Sequence, residues 1–134
     1  MSFFDNIRTA LDTKLNSLTG GTPIAWENGS YPPIKGTAFI RPRLIPSPSL
    51  LADFNGLQDN RGIYQIDLFY PLSNGTGDML TKMDQIYDHF KNDIRLVSEG
   101  VVVNINEITR TRAGEVDEAW FMASLEIHFI CYNN

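Results

Sequence analysis

One cysteine, Cys131, and two histidines, His89 and His128, are all the thiol and imidazole groups in this chain of 134 residues. A lone cysteine excludes an intrachain disulfide and any multi-cysteine metal cage. It leaves an interchain bridge or a buried thiol at the end of a strand, and the buried thiol is the preferred reading. His128 and Cys131 stand three apart on an expected strand, so their side chains point to opposite faces and cannot share a metal without a bulge. A nucleophilic pair of Cys131 with His89 is open on spacing alone, but Cys131 falls on an apolar face that disfavours a thiolate. Positive charge is also short. Eleven Lys and Arg against sixteen Asp and Glu give a net charge of −5, which argues against a surface built to hold phosphate backbones. Arg41, Arg43, Arg61, Arg110 and Arg112 are scattered, without the aromatic interleaving of single-strand binders. No apolar run approaches the roughly 20 residues that cross a bilayer, and Met1-Ser2-Phe3-Phe4-Asp5 lacks a basic region followed by an apolar stretch. The expectation is a soluble protein, made in the cytoplasm, with no membrane partner.

What the chain does contain is alternating and helical periodicity at the size of one domain, 43% hydrophobic. Residues 1–134 are therefore expected to form a single domain. Phe4, Ile7, Leu11, Leu15 and Leu18 recur at spacings of three and four, the stripe of an amphipathic helix ended by Gly20-Gly21. Pro23 to Glu27 reads as a short strand, the turn-rich Asn28 to Pro33 follows, and a second strand is expected over 37–44. The stretch from Ile45 to Arg61 is the least regular, with Leu50, Leu51, Phe54 and Leu57 among polar residues. A long loop of this kind is more often functional or mobile than connective. Gly62 to Tyr70 has strand content, with Tyr64, Ile66, Leu68 and Tyr70 on one face and Gln65 and Asp67 on a wetter one. A helix capped near Asp78 carries Leu80, Met83, Ile86, Tyr87 and Phe90 as its stripe. Val101 to Ile105 and Ala119 to Tyr132 are the last strands, the latter with Phe121, Ala123, Leu125, Ile127, Phe129 and Cys131 on one side. This order predicts an α+β fold: a single mixed, mostly antiparallel β-sheet of four to five strands with two helices packed on one face.

No group of residues suggests catalysis. Ser73-Asn74-Gly75-Thr76-Gly77-Asp78 lies between a strand and a helix, where phosphate-cradling loops occur, but it lacks their lysine and their glycine spacing. Asp78 would place a negative charge where the phosphate sits, so a turn with a helix cap is the better account. Glu115, Asp117 and Glu118 follow Ala113-Gly114 in what reads as a charged hairpin, not an acid and base pair. The sequence thus predicts no catalytic residue, no cofactor and no metal, and no enzyme.

Taken together, four segments resemble the small tail terminator, or tail-completion, proteins of long-tailed bacteriophages. They are the first helix, Ile24-Ala25-Trp26-Glu27-Asn28 with its proline-rich turn, the block Gly62 to Pro71 running into Gly75-Thr76-Gly77, and the closing strand at Trp120-Phe121. The third block is the most specific, and it is a pattern of structural residues. The resemblance implies a structural protein of the virion tail or neck, assembled in the host bacterial cytoplasm. It implies a self-associated ring, usually a homohexamer, that caps the tail tube protein, stops its polymerisation and offers a surface to the head-tail connector protein. DNA would pass through the ring without specific binding, which an acidic subunit suits.

A closed ring needs two different patches on each subunit that meet head to tail. Leu50, Leu51, Phe54 and Leu57 either fold back on their own subunit or pack against a neighbouring chain; in the second case they are expected, with Arg41 and Arg43 on the preceding strand, to supply part of one patch. Arg110 and Arg112, beside the acidic Glu115 to Glu118 turn, are expected either to pair charges with a neighbouring subunit or the tube, or to form an ordinary solvated hairpin. Two other functions fit the same sequence. One is another phage neck or connector-completion protein. The other is a small ligand-binding α+β domain with a cleft near the Gly75 to Asp78 turn.

Overall fold

The computed structural model describes residues 3–18, 22–27, 29, 32, 36–46, 50–51, 58–71, 77–98, 100–110, 114–115 and 120–133. Its elements are α1 (Phe3–Asn16), β1 (Phe39–Pro46), β2 (Leu50–Leu51), β3 (Gln58–Pro71), α2 (Gly77–Lys91), β4 (Arg95–Ser98), β5 (Val101–Arg110), β6 (Gly114–Glu115) and β7 (Trp120–Asn133). The named strands pair antiparallel in the order β1-β3-β7-β5-β4, with β2 added to β3 and β6 to β7. The two long strands β3 and β7 are paired from Gln58↔Asn133 to Pro71↔Trp120 without a break, and they form the spine. Between β5 and β7 the register shifts at Ile105/Glu107, a bulge.

Both helices lie on the face carrying Tyr64, Ile66, Leu68 and Tyr70 of β3 and Ala123, Leu125, Ile127, Phe129 and Cys131 of β7. Ile7, Leu11 and Leu15 of α1 and Met79, Met83, Ile86 and Phe90 of α2 complete that core. Each fully buried aliphatic side chain there contributes about 1.5–3 kcal/mol relative to exposure. The α+β class and the two-helix cover agree with the sequence expectation.

Several expected boundaries do not hold. Pro23 to Glu27 is no strand: Ile24 makes one isolated parallel bridge to Ile40, because Pro23 lacks an N–H and the turn that follows leaves no room for a ladder. The described residues of the 45–61 stretch are more regular than expected, since β1 runs to Pro46, Leu50 and Leu51 pair with Asp59 and Gln58, and β3 starts at Gln58. Leu80 is 46% exposed, and Met79 and Lys82 take the buried positions of α2. Strand β4 was not anticipated; the positive φ of Gly100 (81°) lets the chain turn from β4 into β5.

One polar pair sits against the core. The Tyr64 hydroxyl, buried under the helices, donates to Asp12 of α1. Burial first, then the Asp12 carboxylate, push the Tyr64 phenol well above its ordinary range. Burial raises Asp12 as well, against the opposing effects of the Tyr64 hydrogen bond and Arg8. The phenol therefore keeps its proton in the native state where the unfolded chain loses it, above about pH 10. Its contribution to stability is complete below that pH and is lost as pH rises from there toward the native pKa. Tyr64→Phe should cost about 1–3 kcal/mol at pH 7, by leaving the partly buried carboxylate short of a donor. It should also flatten the loss of stability between pH 9 and 11, as read by urea denaturation across that range. An equally steep alkaline loss in the variant would assign it to another group.

Candidate docking surface

The face of the sheet away from the helices carries the most concentrated polar arrangement among the described residues. Strand alternation brings Phe39, Arg41 and Arg43 of β1 to this face, opposite Phe69, Asp67 and Gln65 of β3. On the far side of β3, Asp67 is paired with Ser124 of β7. Asp67 has a side-chain exposure of 0%, yet Arg41 and Arg43, each reaching its Oδ2 at 3.3 and 3.4 Å, are 45% and 44% exposed. Its Oδ1 accepts from the Ser124 hydroxyl at 2.6 Å and from the Gln65 amide at 2.8 Å. One buried carboxylate thus anchors two guanidinium groups whose outer edges remain in solvent. The local sum is one positive charge, on a chain whose net charge is −5.

Aromatic rings support the cluster. Phe39 and Phe69 stack with centroids 4.7 Å apart at 9°, and Trp120 meets Phe39 edge-on at 5.3 Å. The Arg41 guanidinium lies 4.9 Å from the Phe69 centroid, a cation-π contact that fixes its plane. Arg43 is less satisfied: its Nε is buried with no hydrogen-bond partner among the described residues.

The backbone edge beside these arginines is closed. The Ile40 N–H donates to Pro23 O, and Ile40 O accepts from Ala25 N–H, so Ile40 turns its backbone groups outward. By alternation Pro42, Leu44 and Pro46 turn theirs the same way. Pro42 and Pro46 have no N–H, and the Leu44 N–H donates to Glu27 Oε1 at 3.1 Å. No outward N–H of β1 from Ile40 to Pro46 is therefore open to another strand. Contact at this surface would run through side chains.

The remaining expected positions are dispersed. Leu50 and Leu51 form β2 beside the first residues of β3, while Phe54 and Leu57 lie outside the described residues. Arg110 packs over the Tyr87 ring at 4.1 Å and bridges Asp84 at 3.3 Å, so α2 of its own chain engages it. Arg112 lies outside the described residues, as do Ser73 to Thr76 of the glycine turn. The burial of Asp67 and Lys82 is not legible in the sequence, because a charged residue on a strand or a helix reads as solvated until its neighbours are known.

His89 is occupied with structure: its Nε2 lies 2.8 Å from Lys14 O and 2.9 Å from Ser17 Oγ, tying the end of α2 to the end of α1. His128, on β7, faces Glu126 at 3.7 Å. The Cys131 thiol is buried, and burial pushes it up against a weaker effect from the Val102 backbone. Among the described residues no three His, Cys, Asp or Glu side chains gather as metal ligands. None of their helices is long and apolar enough to cross a membrane.

A family model described as phage tail terminator protein matches residues 6–129. No curated protein matches the sequence significantly. Six solved chains match in structure. One of them has a TM-score of 0.78 at 20% identity over 98% of this chain and 96% of its own length, a likeness that shows a shared fold.

Proposed function

The chain belongs to the phage tail terminator family, and from that membership we propose that copies of it form a ring that caps the tail tube. That family gives it a structural role in a phage tail. The ring, in this reading, stops polymerisation of the tube protein, joins the tail to the head-side connector and lets DNA pass without gripping it. The net charge of −5 supports the last step, since a channel lining of like sign to phosphate does not retain the backbone.

The observation that carries the docking role is the arginine pair held by Asp67. Two guanidinium groups fixed side by side, with their outer edges in solvent, are placed to receive a carboxylate bidentately. Because the Asp67 anchor and the Phe69 ring hold them in place, little side-chain entropy remains to be lost on contact. Leu50 and Leu51, and Phe54, Leu57 and Arg112 outside the described residues, remain part of the proposed surface, with Arg110 at a second position.

Particles lacking the protein should carry overlong tails without heads when viewed by electron microscopy. Filled heads without tails would place it in the neck instead, and normal particles would overturn the proposal. For the arginine pair, Arg43→Gln leaves Asp67 its bonds to Arg41, Ser124 and Gln65. It should stay within about 1 kcal/mol of the parent while reducing the joining of tails to heads at least tenfold. Unimpaired joining by a folded Arg43→Gln protein would remove this surface from the ring.

A further inference from the structure

The two ends of the strand order, β1 and β4, are built differently. At β1 the outward N–H groups from Ile40 to Pro46 are missing or taken. At β4 they are open. The Ile105 N–H donates to Ile94 O at 2.8 Å, and Leu96 and Ser98 pair with Val103 and Val101. Ile94, Leu96 and Ser98 therefore turn their backbone groups toward β5, and Arg95 and Val97 turn theirs away from it. Among the described residues no hydrogen bond reaches those outward N–H and C=O groups. Val97 is 63% exposed and Ile94 55%, two of the four large apolar side chains among the described residues that stand in solvent. Beside them a groove of about 430 Å³ runs between this edge and α1, walled by Ala10, Thr13 and Ser17 on one side and by Leu96 and Ser98 on the other. An unpaired edge flanked by apolar side chains is a template for another strand.

We propose that this edge binds a second copy of the chain, β4 against β4 and antiparallel, with Arg95 opposite the partner's Val97. The groups available set the register. A twofold axis centred on Arg95 would put two guanidinium groups opposite each other and call on the Asp93 N–H, which already donates to Phe90 O. An axis centred on Val97 would leave the outward groups of Arg95 beyond the partner's strand, which ends at Ser98. Centred on Leu96, the axis pairs every outward group, since each copy donates two N–H groups and accepts two through Arg95 and Val97. Leu96 then meets the partner's Leu96, and the stem of Arg95 covers the partner's Val97. The partner's Ile94 comes opposite Ser98, at the wall of the groove. A second β4 fits better than a longer strand of another protein, because it offers the same two outward residues and leaves none of its own unpaired. A neighbouring β1 offers no N–H from Ile40 to Pro46. The contact is isologous and lies at the opposite edge from Arg41 and Arg43. It needs no other tail component, so it stands or falls apart from the ring.

The purified protein tests the pairing. Sedimentation equilibrium from about 10 µM to about 1 mM should show a reversible step from monomer to dimer, and a chain that stays monomeric throughout would overturn the inference. Val97→Pro takes away one outward N–H that no bond within the chain uses, as Pro42 and Pro46 do on β1. It should fold like the parent and dimerise at least tenfold more weakly. Two further variants read the register without a proline. Val97→Lys puts a second cation opposite the partner's Arg95 and should weaken the dimer, whereas Val97→Glu gives that arginine a carboxylate and should hold or strengthen it. A dimer indifferent to Val97→Pro, or weakened equally by the two charged variants, would overturn the inference. So would Arg95 and Val97 amides that exchange at one rate across the concentration range yet slow in assembled tails, which would give the edge to another tail protein.

Discussion

Asp67→Ala is expected to lose about 2–4 kcal/mol of folding stability and, with it, the fixed geometry of the arginine pair. The loss has two parts. The Ser124 hydroxyl, 5% exposed, and the Gln65 amide would each lose the acceptor they reach at 2.6 and 2.8 Å, and an unsatisfied buried donor costs about 1–3 kcal/mol. Arg41 and Arg43 would lose their counter-charge, but their half-exposed guanidinium groups can recover water. The total therefore falls toward the lower part of the range for breaking a buried ion pair. Asp67→Asn, which keeps an acceptor, should cost less than alanine. Chemical denaturation of the two variants beside the parent measures both differences. An alanine variant within 0.5 kcal/mol of the parent would mean that the carboxylate is carried for docking alone, with no structural return.

How much of this was legible in the sequence follows the range of the interactions. The helix over Phe3–Asn16 and the long strands around Gly62 to Tyr70 and Trp120 to Asn133 are set by local periodicity, and they are found where the pattern places them. Leu80 was misplaced because the stripe of α2 can be drawn through either Met79 or Leu80. The choice is made by where β3 and β7 lie, which no single helix encodes. Asp67 shows the same limit more sharply. Alternation correctly put it on the face opposite Tyr64 and Ile66, but that face was expected to be wet. It is buried because Arg41 and Arg43 from β1 and Ser124 from β7 close over it.

Strand edges were only partly readable. Pro42 and Pro46 inside β1 point to an edge strand by their missing N–H groups alone. That Glu27 would cap the intervening Leu44 N–H depends on a turn whose path the sequence does not specify. Short elements such as β2, β4 and β6 carry too few residues for any period to register, and they are formed by the strands they join.

Gly62→Ala is the backbone counterpart of the Asp67 experiment, and it should cost about 3 kcal/mol or more. Gly62 is paired with Pro46 on one side and Phe129 on the other. A Cβ there would lie 2.5 Å from Ile45 O, 3.1 Å from Pro46 Cα and 3.0 Å from the Phe129 ring. The closest obstacle is the main chain of β1, and the ring belongs to the packed core, so neither can move aside cheaply. Steric space is the whole reason, since among the described residues the positive-φ glycines are Gly36 and Gly100. Relief requires the end of β1 to swing off β3, and that motion would draw Arg43 away from Asp67. Gly77→Ala is the matched control: nothing lies within 4 Å of a Cβ at the first residue of α2. Loss of the glycine's unfolded-state freedom should there stabilise by about 0.4–1 kcal/mol. Denaturation midpoints should therefore move in opposite directions for the two glycines, with faster amide exchange along β1 in Gly62→Ala. A Gly62→Ala protein as stable as its parent would show that β1 yields freely, and a freely yielding β1 could not hold the arginine pair in register for docking.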